Sequence, residues 1–360
     1  MKIAVTGLPN SGKTTMFNAL TGLALETTLY PSLEPVVHRG IVKVTDQRID
    51  TLSKIFIPHK TTYAAIEYMD LPGLSHNDRQ SNTLVFDILK DVDAVVHIIR
   101  AFQSDAVIHP MEHVDVIRDA GFLRSELIFG DYAFVEKRLE RMEEASKRGK
   151  KFSVQEKELL LKCSKALEQE IPLRNLTFTE EEHLAMRPLQ FLTTKPEIFA
   201  VNIDEQAINT DYAAQILSEL QTRLPNTPVI VFCAKVEMEI AQLPPDESKE
   251  FLNAMGIEEP ALSKLIRMSY SLLQLISFFT VGKDEVRAWP IQEHTTAQKA
   301  AGKVHSDIER GFIRAEVVSY EDFMTAGGSM HVAKEAGKVR LEGKTYLVQD
   351  GDIINFRFHV

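Results

Sequence analysis

The stretch GLPNSGKTT, Gly7 to Thr15, matches G-x-x-x-x-G-K-[ST] through Gly7, Gly12, Lys13 and Thr14. Each fixed residue type has a task in holding a triphosphate. The glycines permit tight turns that aim successive backbone N–H groups at phosphate oxygens. Lys13 is a candidate catalytic residue, its ammonium neutralising the β- and γ-phosphates, and the Thr14 hydroxyl is a candidate ligand of Mg²⁺. A second cluster, Asp70-Leu71-Pro72-Gly73, closes an apolar run. An Asp at a strand's carboxyl end is where nucleotide enzymes hold Mg²⁺, commonly through water, and Gly73 would let the backbone approach the γ-phosphate. By itself D-x-x-G is a common turn; its position behind a phosphate loop makes Asp70 a metal candidate.

The base should be read after a later strand. Guanine-specific proteins use Asn-Lys-x-Asp, whose Asp accepts two hydrogen bonds from the guanine edge. Here the residues are Asn202-Ile203-Asp204-Glu205. The Lys is missing and Glu205 is a methylene longer, so its carboxylate is misplaced for both bonds. GTP is disfavoured and ATP allowed. Cys233, Ala234 and Lys235 would set backbone groups and a small residue beside the base; read blandly, they are a strand end with a cap.

These residues need a scaffold. Lys2–Thr6, Ala64–Asp70, Ala94–Phe102, Glu197–Asp204 and Pro228–Ala234 read as strands, with a helix over Thr14–Gly22 facing the anion. Strands separated by helical stretches predict a mostly parallel sheet covered on both faces, with ligands at the carboxyl ends. From Met111 to Lys195 the pattern turns helical. Val135, Leu139 and Met142, then Leu160, Cys163 and Leu167, keep helical spacing around the polar turn ASKRGKKFS. The end differs again, with a helix candidate at Ala297–His305, a strand at Gly311–Ser319, and alternating apolar residues in KVRLEGKTYLVQDGDIINFRFHV that read as hairpins turning at EGK and QDGD. The expected fold class is α/β. A P-loop domain over 1–110 and 196–276 carries an inserted helical hairpin over 111–195 and a smaller α+β domain over 277–360.

Composition narrows the function classes. The 360 residues exceed one small core. A formal net charge of −10 argues against coating nucleic acid, and no DNA partner is expected. Cys163 and Cys233 have neither disulfide nor zinc-ligand spacing. No apolar run is long enough to span a bilayer and the chain enters a strand at once. The expectation is a reduced, cytoplasmic protein with no membrane partner.

The chain resembles the YchF or Obg-like ATPases, P-loop proteins of the translation-factor-related GTPase class. The resemblance runs over nearly the full length, through GLPNSGKTT, DLPGL, VDAVVHIIRAF, VEKRLERME, NIDE, CAKVE, SFFTVGKDEVRAW, GFIRAEVVSYEDF and KEAGKVRLEGKTYLVQDGDIINFRF. It implies a C-terminal TGS domain of β-grasp fold, ATP and Mg²⁺ binding, slow hydrolysis, and association with ribosomes or ribosomal RNA. Matched by position, Asn10, Ser11, Gly12, Lys13, Thr14 and Thr15 would form the phosphate loop, with Asn10 a ligand of K⁺. Asn202 and Glu205 would be the altered base reader. Leu74 stands where small GTPases place a catalytic Gln and cannot orient water. His109 matches a loop histidine suspected of that role; read without the resemblance, it is a surface loop histidine.

Two stretches depart from the family pattern. YPSLEP, Tyr30 to Pro35, is shorter and lacks the switch threonine, for which Ser32, Thr27 or Thr28 would have to stand in. SHNDRQSN, Ser75 to Asn82, replaces a longer Gly- and Lys-rich run. Both changes spare the cradle and remove parts that order water, so binding is expected to outlast turnover. The expected function is a nucleotide-dependent switch with slow ATP hydrolysis. The alternatives are a regulatory module without significant hydrolysis, or a GTP-preferring GTPase. Lys334, Lys338, Arg340 and Lys344 are nearly balanced by acids and read as solvated strand faces.

Overall fold

The computed structural model describes residues 1–26, 36–76, 79–149 and 153–359. The switch candidates Thr27, Thr28 and Ser32, with all of Tyr30 to Pro35, lie outside these residues, as do parts of the Ser75–Asn82 loop and of the ASKRGKKFS turn. In chain order the strands are β1 (Lys2–Gly7), β2 (His38–Lys43), β3 (Lys60–Thr62), β4 (Ala65–Asp70), β5 (Ala94–Arg100), β6 (Glu197–Asn202), β7 (Val229–Phe232), β8 (Leu275–Thr280), β9 (Glu285–Gln292), β10 (Phe312–Ser319), β11 (Arg340–Glu342) and β12 (Asp352–Phe358). The chain divides into two units, 1–40 with 67–265, and 41–66 with 266–360.

The first unit is the expected α/β body. Its sheet runs β2-β4-β1-β5-β6-β7, and the pairs from β4 to β7 are parallel. Every residue of β5 and β6 is buried. Helices cover both faces of such strands, which is why AVVHIIR reads as an almost unbroken apolar run. The order reverses around β1, whose neighbours are β4 and β5, and a ligand crevice belongs at that switch point.

Helix Val116–Lys147 starts at an Asp115 cap, where the side chain accepts from the Arg118 N–H. Its first turns, through Val116, Ala120, Leu123 and Leu127, pack into the sheet core with Val95, Ile99 and Phe199. Beyond them Ile128, Val135 and Met142 join Leu160, Cys163 and Leu167 of helix Val154–Glu168 in a second core, the expected hairpin. One long helix therefore serves two cores. Buried polar ties hold it. Asp131 accepts from Leu192 N and Thr193 N, both at 2.8 Å, and Arg124 Nε donates to Glu197 at 3.0 Å. Burial opposes the charge on Glu197, but His97, Arg174 and Arg124 outweigh it and hold this carboxyl at about 2.

The second unit is a mixed sheet, ordered β11-β10-β12-β8-β9-β3. Helix Ala297–Val304 presents Ala297, Ala300 and Ala301, all fully buried, to a core with Phe278 and Phe312. The sequence pattern predicts a hairpin within the last strands, and it does not form. β10 pairs antiparallel with both β11 and β12 and separates them. Alternation says which face of a strand is buried and does not name its partner. Segment 41–66 also belongs here. In it, Arg48 pairs with Asp46 and, at 2.7 Å, with Asp350, whose other oxygen accepts from Ser277 N, and Phe56 stacks on Phe323. Among the described residues no helix is long and apolar enough to cross a membrane.

Candidate nucleotide site

The glycine-rich stretch leaves β1 and enters helix Lys13–Thr21. A Cβ on Gly7 would collide with the Ile98 carbonyl, and one on Gly12, at φ 91°, with the Asn202 amide. No described side chain caps this helix and its first turn holds no acid, so its amides suit an anion. Asn10 also has a left-handed backbone, φ 61°, and its amide nitrogen donates to the Ile108 carbonyl at 3.2 Å. Lys13 is buried, with Nζ donating to the Leu8 carbonyl at 2.7 Å. Burial pushes its pKa down to about 8, against the pull of nearby Asp70.

Beside it the Thr14 hydroxyl donates to Asp70 Oδ2 at 2.8 Å. Asp70 Oδ1 is buried and finds no hydrogen-bond partner among the described residues. Burial raises this carboxyl, opposed by Lys13 and Thr14. A spare carboxylate oxygen next to a hydroxyl is a hard oxygen pair of the kind Mg²⁺ takes, so these residues fit the metal. Gly73 follows so closely against the phosphate loop that a Cβ would lie 2.7 Å from the Pro9 nitrogen. Leu74 donates its N–H to the Gly7 carbonyl and buries its side chain completely.

At the far side of the phosphate loop lies a cavity of about 780 Å³, lined by Gly12, Thr15, Asn202, Glu205, Cys233 and Lys235 among others. Asn202 ends β6, buried, and both ends of its amide are engaged. Nδ2 donates to the Ser11 carbonyl at 3.1 Å, while Oδ1 accepts from Ala234 N at 2.9 Å. It ties the phosphate loop to the Cys233–Lys235 stretch. Glu205 is paired with Lys235 at 2.7 Å.

His109 is also buried. Met111 N–H donates to its Nδ1 at 3.1 Å, so the ring proton sits on Nε2 and points at Asp119 Oδ2, 2.9 Å away. Burial, with Arg118 and Arg100 nearby, lowers its pKa against the attraction of Asp119 and keeps it neutral. The reading of His109 as a surface residue or as a water activator meets the same fact: both ring nitrogens are bonded within the protein. Sequence reasoning missed the wall formed by Phe102, Gln103 and Ser104, which line the cavity. The signal for it is their position just beyond the carboxyl end of the buried strand β5.

A parallel sheet with a glycine-rich loop after its first strand, a Thr–Asp pair beside a buried Lys, and a cavity at the strand ends defines a P-loop nucleotide-binding protein of the GTPase class. Residues 2–123 match the model described as 50S ribosome-binding GTPase. Residues 275–359 match YchF-GTPase_C, described as a protein of unknown function, DUF933. The chain belongs to the YchF family. It is 43% identical to the Ribosome-binding ATPase YchF of Bacillus subtilis strain 168, over 99% of this chain and 98% of that one. With the protein of the same name from Escherichia coli O157:H7 it shares 40% identity, over 100% and 99% of the two chains. The Schizosaccharomyces pombe YchF GTPase structure superposes with a TM-score of 0.84 at 28% identity, covering 99% of this chain and 97% of that one.

Proposed function

We propose that this chain binds ATP in preference to GTP, together with Mg²⁺, hydrolyses it slowly, and works as a conformational switch on the ribosome in the cytoplasm. One observation carries the reading. The loop that presents Lys13 and Thr14 beside Asp70 also lines, through Gly12 and Thr15, the cavity that Glu205 and Lys235 border. Phosphate and base sites are thus continuous. Thr14 and Asp70 would hold Mg²⁺, which supplies positive charge for the phosphate oxygens. Lys13 supplies the second positive charge, and the loop amides the rest of the anion site. The preference for adenine is supported by Glu205, whose carboxylate is already paired with Lys235.

Slow turnover follows from the water side. Leu74 is apolar and buried, and His109 must release the Met111 N–H from Nδ1 before it can accept a proton. These same facts favour the second reading, a nucleotide-regulated module with no useful hydrolysis. The ribosome enters through the names of the curated relatives, and a TGS-type role for 277–360 is part of the same proposal.

Phosphate release from ATP, with and without ribosomes and K⁺, tests the proposal. The expected result is slow Mg²⁺-dependent release that vanishes in Lys13→Ala. Tight ATP binding without release selects the regulatory module, and a strong preference for GTP overturns the reading of Glu205.

A further inference from the structure

Arg100 closes β5 and is 3% exposed. A buried guanidinium needs partners, and this one takes them from the segment that follows it. Its Nε donates to the Phe102 carbonyl at 3.1 Å, its Nη2 reaches the Ser104 carbonyl at 3.5 Å, and its Cζ lies 4.4 Å from the centre of the Phe102 ring. Nη1 is buried and finds no partner among the described residues. Phe102 and Ser104 are the two ends of the cavity wall, with Gln103 between them. Gln103 is fixed separately, its N–H donating to Asp204 Oδ2 at 3.0 Å. Further along the same loop, the Ile108 carbonyl accepts from Asn10 of the phosphate loop, and His109 is held by Asp119.

A side chain that folds back on two carbonyls and a ring of its own successor segment shapes that segment. Core packing alone would call for an apolar residue at the end of so buried a strand, because an incompletely paired guanidinium is costly there. We infer that Arg100 is a positioning residue for the nucleoside end of the site: its planar fork holds the Phe102–Ser104 wall in place, so it governs affinity for the base and sugar and leaves the phosphate cradle untouched. The inference rests on the nucleotide reading above and adds to it a residue that touches no phosphate.

The split between the two ends of the ligand gives the test. Arg100→Met keeps the stem's bulk and removes the fork; Arg100→Lys keeps the charge but cannot serve both carbonyls from one plane. Wild type and both variants are titrated with Mg²⁺–ATP and, separately, with inorganic tripolyphosphate and Mg²⁺, after circular dichroism and melting confirm folding. The expected result is about tenfold weaker ATP binding in both variants, the effect of losing one charge-assisted hydrogen bond, with tripolyphosphate affinity unchanged. Equal losses for the two ligands would make Arg100 a general structural residue and overturn the inference, as would unchanged ATP affinity. Should Arg100→Met fail to fold, Arg100→Lys carries the comparison, and should that also fail, Arg100 is a structural residue and the inference falls. Failure of the wild type to bind ATP would instead defeat the nucleotide reading itself, so the two outcomes are distinct.

Discussion

Replacing Asn202 by Asp separates two roles that the residue could have. As a base reader it would discriminate between nucleotides; as a brace between Ser11 and Ala234 it would hold the whole site and treat all nucleotides alike. In Asn202→Asp the Ala234 N–H keeps an acceptor. The Ser11 carbonyl loses its donor and instead faces a carboxylate oxygen, in a place where Asn202 is 4% exposed. An unsatisfied buried polar group costs about 1–3 kcal/mol, and the repulsion adds about 1 kcal/mol, so the total is about 2–4 kcal/mol. If half of this falls on loop geometry, nucleotide affinity drops about 5- to 30-fold. Calorimetric titration with Mg²⁺–ATP and Mg²⁺–GTP is the assay. Both affinities should fall by the same factor. They should also recover as pH is lowered, because a buried carboxyl beside a carbonyl is pushed up and can donate once protonated. A change in the ATP-to-GTP ratio of about tenfold, or no change in either affinity, would refute the brace.

Three further outcomes are expected. Gly73→Ala puts a Cβ 2.7 Å from the Pro9 backbone nitrogen, which cannot yield as a side-chain tip would; stability should fall by about 1–3 kcal/mol in urea unfolding, with weaker ATP binding, and wild-type values for both would contradict the close approach. Lys13 is held at about 8 by burial, and a bound triphosphate raises it, so complex formation should take up a proton as pH passes 8, with affinity falling above it; calorimetry in buffers of different ionisation enthalpy reads this, and no uptake would disprove it. Glu197 is depressed from 4.5 to about 2; since its folded value lies below the unfolded one, its contribution, about 3 kcal/mol, is complete above pH 4.5 and lost as pH falls toward 2. Acid unfolding of Glu197→Gln should lack that slope, and an identical slope would show that other carboxyls carry it.

Much of the site is legible because its chemistry is local. Nine consecutive residues hold the loop glycines, Lys13 and Thr14, and a left-handed turn or a helix start depends on near neighbours in the chain. The buried strands β5 and β6 are legible for the same reason, from their apolar runs. Arg100 is harder to read. An arginine at the end of an apolar strand suggests a solvated terminus, and only the return of Phe102 and Ser104 over it explains its burial. The engagement of His109 with Asp119 likewise depends on how a helix start meets a loop.

The amino-acid sequence by itself determined the phosphate loop, the Asp70 partner, the parallel strands and the helical hairpin, because each rests on spacing within a short stretch whose backbone conformation is set nearby. Only the tertiary structure decided that Asn202 braces two loops, that β10 lies between β11 and β12, and that residues 41–66 group with the C-terminal sheet. Those outcomes join residues far apart in the chain. Periodicity can say that a face must be buried; which distant surface buries it is settled by the packing of the whole fold.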